Sequence, residues 1–273
     1  MGCDVTREKR PVTLSCDAHE RGLSLPSGVL LIVILIVALA AIAVLLRKLT
    51  PAGGAAGAVV AWALYSGLDY PGLALLGLFF ILGTLATSYR KKWKEKAGLR
   101  DNIVGRRAVQ VWANGGVAAV CALGAVLTRM WQHGECMPGR HLEQGLQLAA
   151  AAALSSATAD TLASELGNAW GSRYINIRSL RRDVRGVDGA ISLEGSLAGL
   201  AGSVLIATIY FFLLKNSLGA ALLLVAAGTL GNAADSWLGA TLQRRGILNN
   251  DAVNFCNTLL AALFAGGCFL LFG

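Results

Sequence analysis

Ala159-Asp160-Thr161-Leu162-Ala163-Ser164-Glu165-Leu166-Gly167 places two carboxylates inside an apolar run that begins near Leu146. Acids in a hydrocarbon-length segment are costly and need a partner, a proton or a cation. A second stretch answers it: Ala234-Asp235-Ser236-Trp237-Leu238-Gly239-Ala240-Thr241-Leu242-Gln243. Both read Ala-Asp-(Thr/Ser) late in an apolar segment. We expect the two aspartates to face one another across a polar cleft.

The class follows from composition. The chain has 273 residues, 55% of them hydrophobic, and a mean hydropathy of +0.58. Several runs are long enough to span about 30 Å of hydrocarbon as helices. Backbone groups in lipid must pair internally, and long uniform runs suit helices rather than a barrel. The expectation is an all-α polytopic transmembrane bundle. Residues 27–273 form one domain and residues 1–26 a polar N-terminal tail. The net charge of +8 is concentrated in loops. That pattern suits anionic headgroups or a phosphorylated substrate. A basic soluble module of the kind that reads nucleic acid is not visible. The six cysteines show no C-x-x-C spacing, which argues against a zinc site. A Cys3–Cys16 bridge is conceivable but not demanded.

The segments read in order as 27–46, 51–68, 71–88, 108–128, 144–168, 193–214, 218–242 and 252–272. The first is too long for a signal h-region and has no clear cleavage site, so it is read as retained. The Gly/Ala-rich segment 51–68 decides between eight crossings and seven. The cluster Arg90-Lys91-Lys92, Lys94 and Lys96 is basic, as are Arg173–Arg185 and Arg244-Arg245. All three fall on one side, which the positive-inside rule makes cytoplasmic. Both termini then lie outside; without a crossing at 51–68 the N-terminus moves inside. A bacterial inner membrane is the first expectation for residence and a plastid envelope the alternative. His19, His133 and His141 all fall on the outer side and are given no catalytic role.

Asp160 and Asp235 each lie eight residues before their helix ends, about 12 Å from the cytoplasmic face at 1.5 Å per residue. Matched depth on parallel helices suits one shared Mg²⁺, which takes one or two carboxylates and completes its shell with water and phosphate. Glu165 lies about 140° around the helix from Asp160. It is a candidate base, further metal ligand or arginine partner. A lone buried Asp can equally be a packing residue satisfied by neighbouring hydroxyls; two at matched depth favour function. Arg178, Arg181, Arg182 and Arg185, then Asp188, Gly189 and Ser192, form a basic turn leading into a helix N-terminus, a pattern that suits phosphate. Asn114, Gln243, Asn250 and Asn254 are candidate lining residues. For Asn114 a packing notch is the plainer reading, and Asp251 reads as an N-cap.

These stretches together resemble a known family. Leu49-Thr50-Pro51-Ala52-Gly53, Phe79-Phe80 to Ser88, Gln110-Val111-Trp112-Ala113-Asn114-Gly115-Gly116 and the two aspartate segments match it in order. So do Asp188-Gly189-Ala190-Ile191-Ser192-Leu193-Glu194-Gly195 and Asn250-Asp251-Ala252-Val253-Asn254-Phe255. The chain from about residue 30 to 273 is similar to an integral-membrane family, a domain of unknown function, that includes the plant phytyl-phosphate kinase of vitamin E synthesis. Trp237 and Glu194 depart mildly from its pattern. The resemblance implies phosphoryl transfer from a nucleoside triphosphate, CTP in the best-known branch, to an isoprenoid monophosphate. Asp160, Asp235 and Glu165 would then hold Mg²⁺-nucleotide and the arginines would clamp phosphates. The partners implied are a prenyl-phosphate lipid, the nucleotide and membrane lipids, with no nucleic acid. Three rivals stand beside it at this level: a CTP-dependent lipid-phosphate cytidylyltransferase, a cation-coupled transporter, and a non-catalytic lipid-binding scaffold, which the carboxylate pair disfavours.

Overall fold

The computed structural model describes residues 27–98, 105–131, 138–214 and 217–272. The polar tail, the Cys3–Cys16 bridge, His19 and His133 lie outside the described residues. Eight helices form the fold: α1 (Ser27–Leu45), α2 (Pro51–Ser88), the short α3 (Lys91–Lys96), α4 (Ala108–Trp131), α5 (Pro138–Trp170), α6 (Leu193–Leu214), α7 (Leu218–Leu238) and α8 (Asn250–Phe272). A π-helical turn, Gly239–Gln243, continues α7. A two-residue antiparallel ladder joins β1 (Ile175–Asn176) to β2 (Ala190–Ile191) within the α5–α6 linker.

Helix α2 is a hairpin. Thirty-eight residues in a straight helix would extend about 57 Å. Yet Lys48, just before its start, donates from Nζ to Ser88 Oγ at its end, 3.1 Å away. The reversal falls at Asp69 (φ 60°, ψ −148°), followed by Pro71. Glycine makes it tight: a Cβ on Gly72 would lie 2.4 Å from the Leu64 carbonyl oxygen. The carbonyl of Gly67, freed where the first limb ends, accepts from Gln147 Nε2 (2.9 Å) and Arg129 Nη2 (3.2 Å). The 51–68 segment is thus a separate limb, antiparallel to 71–88. With α1 and α4 to α8 it gives eight limbs of membrane length.

Among the described residues six helices are long and apolar enough to cross a membrane by length and composition. Helix α5 is not among them, and its position explains why. It packs against α2, α4, α6, α7 and α8. From Leu148 to Leu154 every residue is at most 5% exposed. A helix wrapped in protein need not be oily, and its alanines and serines let neighbours approach closely. Helix α1 sits at the rim, packed on α2.

Helices α4 and α5 extend into the stretch 129–143 read from sequence as a loop. Arg129 and Glu143 pair across that end at 2.7 Å. His141 stacks on Phe269 there, with ring centroids 5.0 Å apart.

Candidate functional site

The basic linkers gather at one end of the bundle, around a polar cavity of about 1240 Å³. Asp160 on α5 and Asp235 on α7 line it, and their carboxyls are within hydrogen-bonding reach of one another. This is the juxtaposition the matched depths imply. A buried relay holds Asp235 from behind. Asn257 Nδ2 donates to Asp235 Oδ1 (2.7 Å), and Ser156 Oγ donates to Asn257 Oδ1 (3.1 Å). Asn257 is fully buried, so its amide fixes the rotamer of the carboxylate it serves.

Glu165 also lines the cavity, but its Oε2 is engaged by Lys94 Nζ at 2.5 Å. The same ammonium donates to the Ala86 carbonyl at 3.0 Å and is 1% exposed. Glu165 is thus a lysine partner. In sequence Lys94 is one charge of the basic cluster that follows Tyr89. The turn of α3 carries it inward instead.

Asn114, Asp188, Gly189, Ser192, Gln243, Asn250 and Asn254 all lie on the cavity wall. Asn114 Oδ1 is buried and has no hydrogen-bond partner among the described residues. Asp251 does not cap α8; the Asn249 side chain accepts from Ala252 N–H (2.8 Å), while Asp251 faces Arg107 at 3.6 Å.

Arg178, Arg181, Arg182 and Arg185 are not brought to that wall. The first three are exposed. Arg185 is sandwiched between Trp93 and Tyr174, 5.1 and 5.3 Å from their ring centroids, and donates to the Gly171 carbonyl. Arg185 thus fastens the linker, and none of the four lines the cavity. Glu194 helps, accepting from Ser172 N–H and Oγ at 3.1 and 2.7 Å. Arg244 ties the linker to the end of α7 through Asp183 and the Asp188 carbonyl. Burial raises the Asp183 carboxyl, but Arg244, the Val184 N–H and Asn176 outweigh it and hold the group below the usual carboxylate range. Gly189, at φ +72°, is where the linker meets α7; a Cβ there would strike Ala240 at 2.4 Å. That close contact positions Asp188 near Asp235.

The cations on the wall come from elsewhere: Arg47 and Lys48 after α1, Lys91, and Arg106 and Arg107 before α4. The α1–α2 and α3–α4 linkers pair like strands, through Arg106 N–H to Lys48 O (2.9 Å) and Thr50 N–H to Arg106 O (3.1 Å).

An internal repeat organises this end, and it extends beyond the two aspartate segments. Three limbs arrive with Gly83-Thr84-Leu85-Ala86-Thr87, Asp160-Thr161-Leu162-Ala163-Ser164 and Asp235-Ser236-Trp237-Leu238-Gly239. Three helices leave with Ala108-Val109-Gln110, Ala190-Ile191-Ser192 and Ala252-Val253-Asn254. Thr84, Thr161 and Ser236 all line the cavity, and so do Thr87, Ser164 and Gly239, and Gln110, Ser192 and Asn254. The third aspartate position is held by Gly83.

The fold and cavity define a polytopic membrane protein with a polar, carboxylate-bearing chamber at one end of its bundle. The chain belongs to the family described as integral membrane protein DUF92, whose model matches residues 34–262. An uncharacterized membrane protein of Synechocystis sp. is 33% identical over 235 residues, covering 85% of this chain and 86% of that protein. Protein VTE6, chloroplastic, of Arabidopsis thaliana is 32% identical over 198 residues, covering 71% of this chain and 57% of that protein. An uncharacterized membrane protein of Methanocaldococcus jannaschii is 33% identical over 199 residues, 73% of this chain and 76% of that protein. No solved structure matches the chain.

Proposed function

We propose that the protein is a Mg²⁺-dependent phosphotransferase acting on an isoprenoid monophosphate, with its chamber facing the cytoplasm or its topological equivalent. The observation that carries this reading is the facing pair Asp160–Asp235 in a polar cavity whose other cations lie on separate linkers. The kinship with VTE6 and the family resemblance support it and point to CTP as donor and phytyl phosphate as first acceptor. At about 1240 Å³ the cavity exceeds the ~300–1,000 Å³ of a single-ligand pocket, which suits two substrates.

The donor set fits magnesium. Among the described residues no group of three His, Cys, Asp or Glu side chains forms a metal cage. A pair of carboxylates flanked by Thr161 and Ser236 suits a hard cation that leaves positions for water and phosphate. Asp160 and Asp235 would hold it, and Asn257 would keep Asp235 aimed. Bound there, Mg²⁺ would neutralise charge on the nucleotide phosphates. An acceptor phosphate oxygen forms a bond to the terminal phosphorus while the bond from that phosphorus to the β–γ bridging oxygen breaks. The products are the lipid diphosphate and a nucleoside diphosphate. The acceptor is already largely dianionic at pH 7, so no residue has to remove a proton. Lining cations and polar groups have only to align and stabilise the two phosphates.

The test is transfer of the terminal phosphate of labelled CTP to phytyl monophosphate by the purified protein with Mg²⁺. Label should appear in a lipid diphosphate. Asp160→Asn and Asp235→Asn should each reduce turnover at least about 100-fold, the scale for loss of one preorganised charge-stabilising group. Pyrophosphate release with a CDP-lipid product would assign the cytidylyltransferase chemistry instead. Full activity in Asp160→Asn would remove the metal assignment.

A further inference from the structure

Gly83 stands where the other two arriving limbs carry Asp160 and Asp235, and the vacated space is filled. A Cβ on Gly83 would lie 2.5 Å from Arg106 Nη2 and 3.3 Å from Thr161 Cγ2. The first unit of the repeat thus offers a cation where the others offer carboxylates. The position is built around that arginine. Its guanidinium lies over the Phe79 ring, 5.4 Å from the centroid. Its backbone is held at both N–H and C=O by the neighbouring linker. Gly53 yields room as well, since a Cβ there would come within 2.5 Å of the Arg106 carbonyl oxygen. Arg107 has Asp251 and Lys94 has Glu165. The ion pairs among the described residues leave Arg106 out. Burial pulls its pKa below the ordinary guanidinium value, with Glu165 acting against that from a distance. A half-buried guanidinium on a cavity wall, with no ion-paired carboxylate among the described residues, is set for an anion from outside the protein.

The surroundings say which anion. Leu46 and Val109 flank this part of the wall and are 64% and 57% exposed. They give the chamber an apolar edge beside rim helix α1, whereas the α5–α7 side lies under the polar 171–192 linker. A ligand with an anionic head and a hydrocarbon tail suits that edge.

We propose that Arg106 seats the phosphate monoester of the lipid acceptor, leaving the Asp160–Asp235 pair to the nucleotide; this rests on the phosphotransferase reading above. Two readouts test it on the full-length protein. In steady-state transfer, Arg106→Gln should raise KM for phytyl monophosphate about 10- to 100-fold, the scale of one lost charge-assisted pair. KM for CTP should move less than about threefold. Arg106→Lys should recover part of the loss. Gly83→Ala, which keeps Arg106 but intrudes on its guanidinium, should shift the same constant in the same direction even if Arg106→Gln does not fold. In thermal unfolding without nucleotide, phytyl monophosphate should protect the native protein and Asp160→Asn, but not Arg106→Gln. Inorganic phosphate at equal concentration should protect neither. Equal protection by inorganic phosphate would overturn the lipid assignment, as would an effect on KM for CTP alone. Protection that survives in Arg106→Gln would remove Arg106 from the site. Arg106-dependent protection without any transfer would uphold the anion site and sink the phosphotransferase reading, so the two fail separately.

Discussion

Lys94 shows how much a single side chain changes the meaning of a charge cluster. In sequence it is one of several lysines on a basic linker. In the structure its ammonium is 1% exposed and is held by Glu165 and the Ala86 carbonyl. The two halves of this pair are not equivalent. The Glu165 side chain is 25% exposed and has the polar cavity beside it. Removing the glutamate strands a buried ammonium, at a cost of about 3–5 kcal/mol. Removing the lysine leaves a carboxylate that water can reach, which costs less. Glu165→Ala should therefore lower the unfolding temperature in detergent more than Lys94→Met does. The double variant Lys94→Met with Glu165→Leu should recover much of the loss, since an apolar pair can replace a buried ion pair nearly neutrally. The opposite order of the single variants would show that Glu165, not Lys94, is the desolvated partner. Nothing in the spacing of residues 89–96 could announce this, because burial of Lys94 depends on where α3 folds, 71 positions away in sequence from its acid.

At the scale of elements, the apolar runs and the depth of the two aspartates were legible because hydrocarbon length and helical rise are fixed quantities. The break near Asp69 falls at the boundary between the segments 51–68 and 71–88. What could not be read was which loop turns its cations inward. Arg178, Arg181, Arg182 and Arg185 form the denser arginine run, but Arg185 is taken up by the Trp93–Tyr174 stack and the other three are exposed on the linker, off the cavity wall. The inward cations come from shorter linkers, and the clue was Gly83 in a place where the repeat has aspartate. The hairpin in α2 makes its own prediction. Asp69 at φ 60°, ψ −148° occupies a conformation that belongs to glycine. Such a residue costs about 1–3 kcal/mol. Asp69→Gly should relieve part of that and raise the unfolding temperature. Gly67→Ala should lower it, because its Cβ would meet the α4 backbone at Ala122 at 2.3 Å. A fall in stability for Asp69→Gly would mean the aspartate side chain itself holds the turn.

The whole molecule is polarised, and the polarity can be tested without any knowledge of the reaction. Four linkers carry cations to the cavity end: Arg47-Lys48, the α3 region, the 171–192 segment and Arg244-Arg245. At the other end Arg129 is neutralised by Glu143. Cationic linkers resist translocation, so the proposed orientation has the cavity toward the cytoplasm. That is also where nucleoside triphosphates are made available, and it is the side on which a prenyl phosphate head would have to sit for transfer. Leu180, in the cavity-end linker, is 72% exposed, and Trp131, at the opposite end, is 90% exposed. Each can be replaced by Cys in a background whose native cysteines are serine. A membrane-impermeant maleimide should then label Trp131→Cys in intact cells and Leu180→Cys only in inverted vesicles. The reverse pattern would place the chamber outside, where cytoplasmic CTP cannot reach it. It would defeat the phosphotransferase reading on topology alone, whatever Asp160 and Asp235 bind.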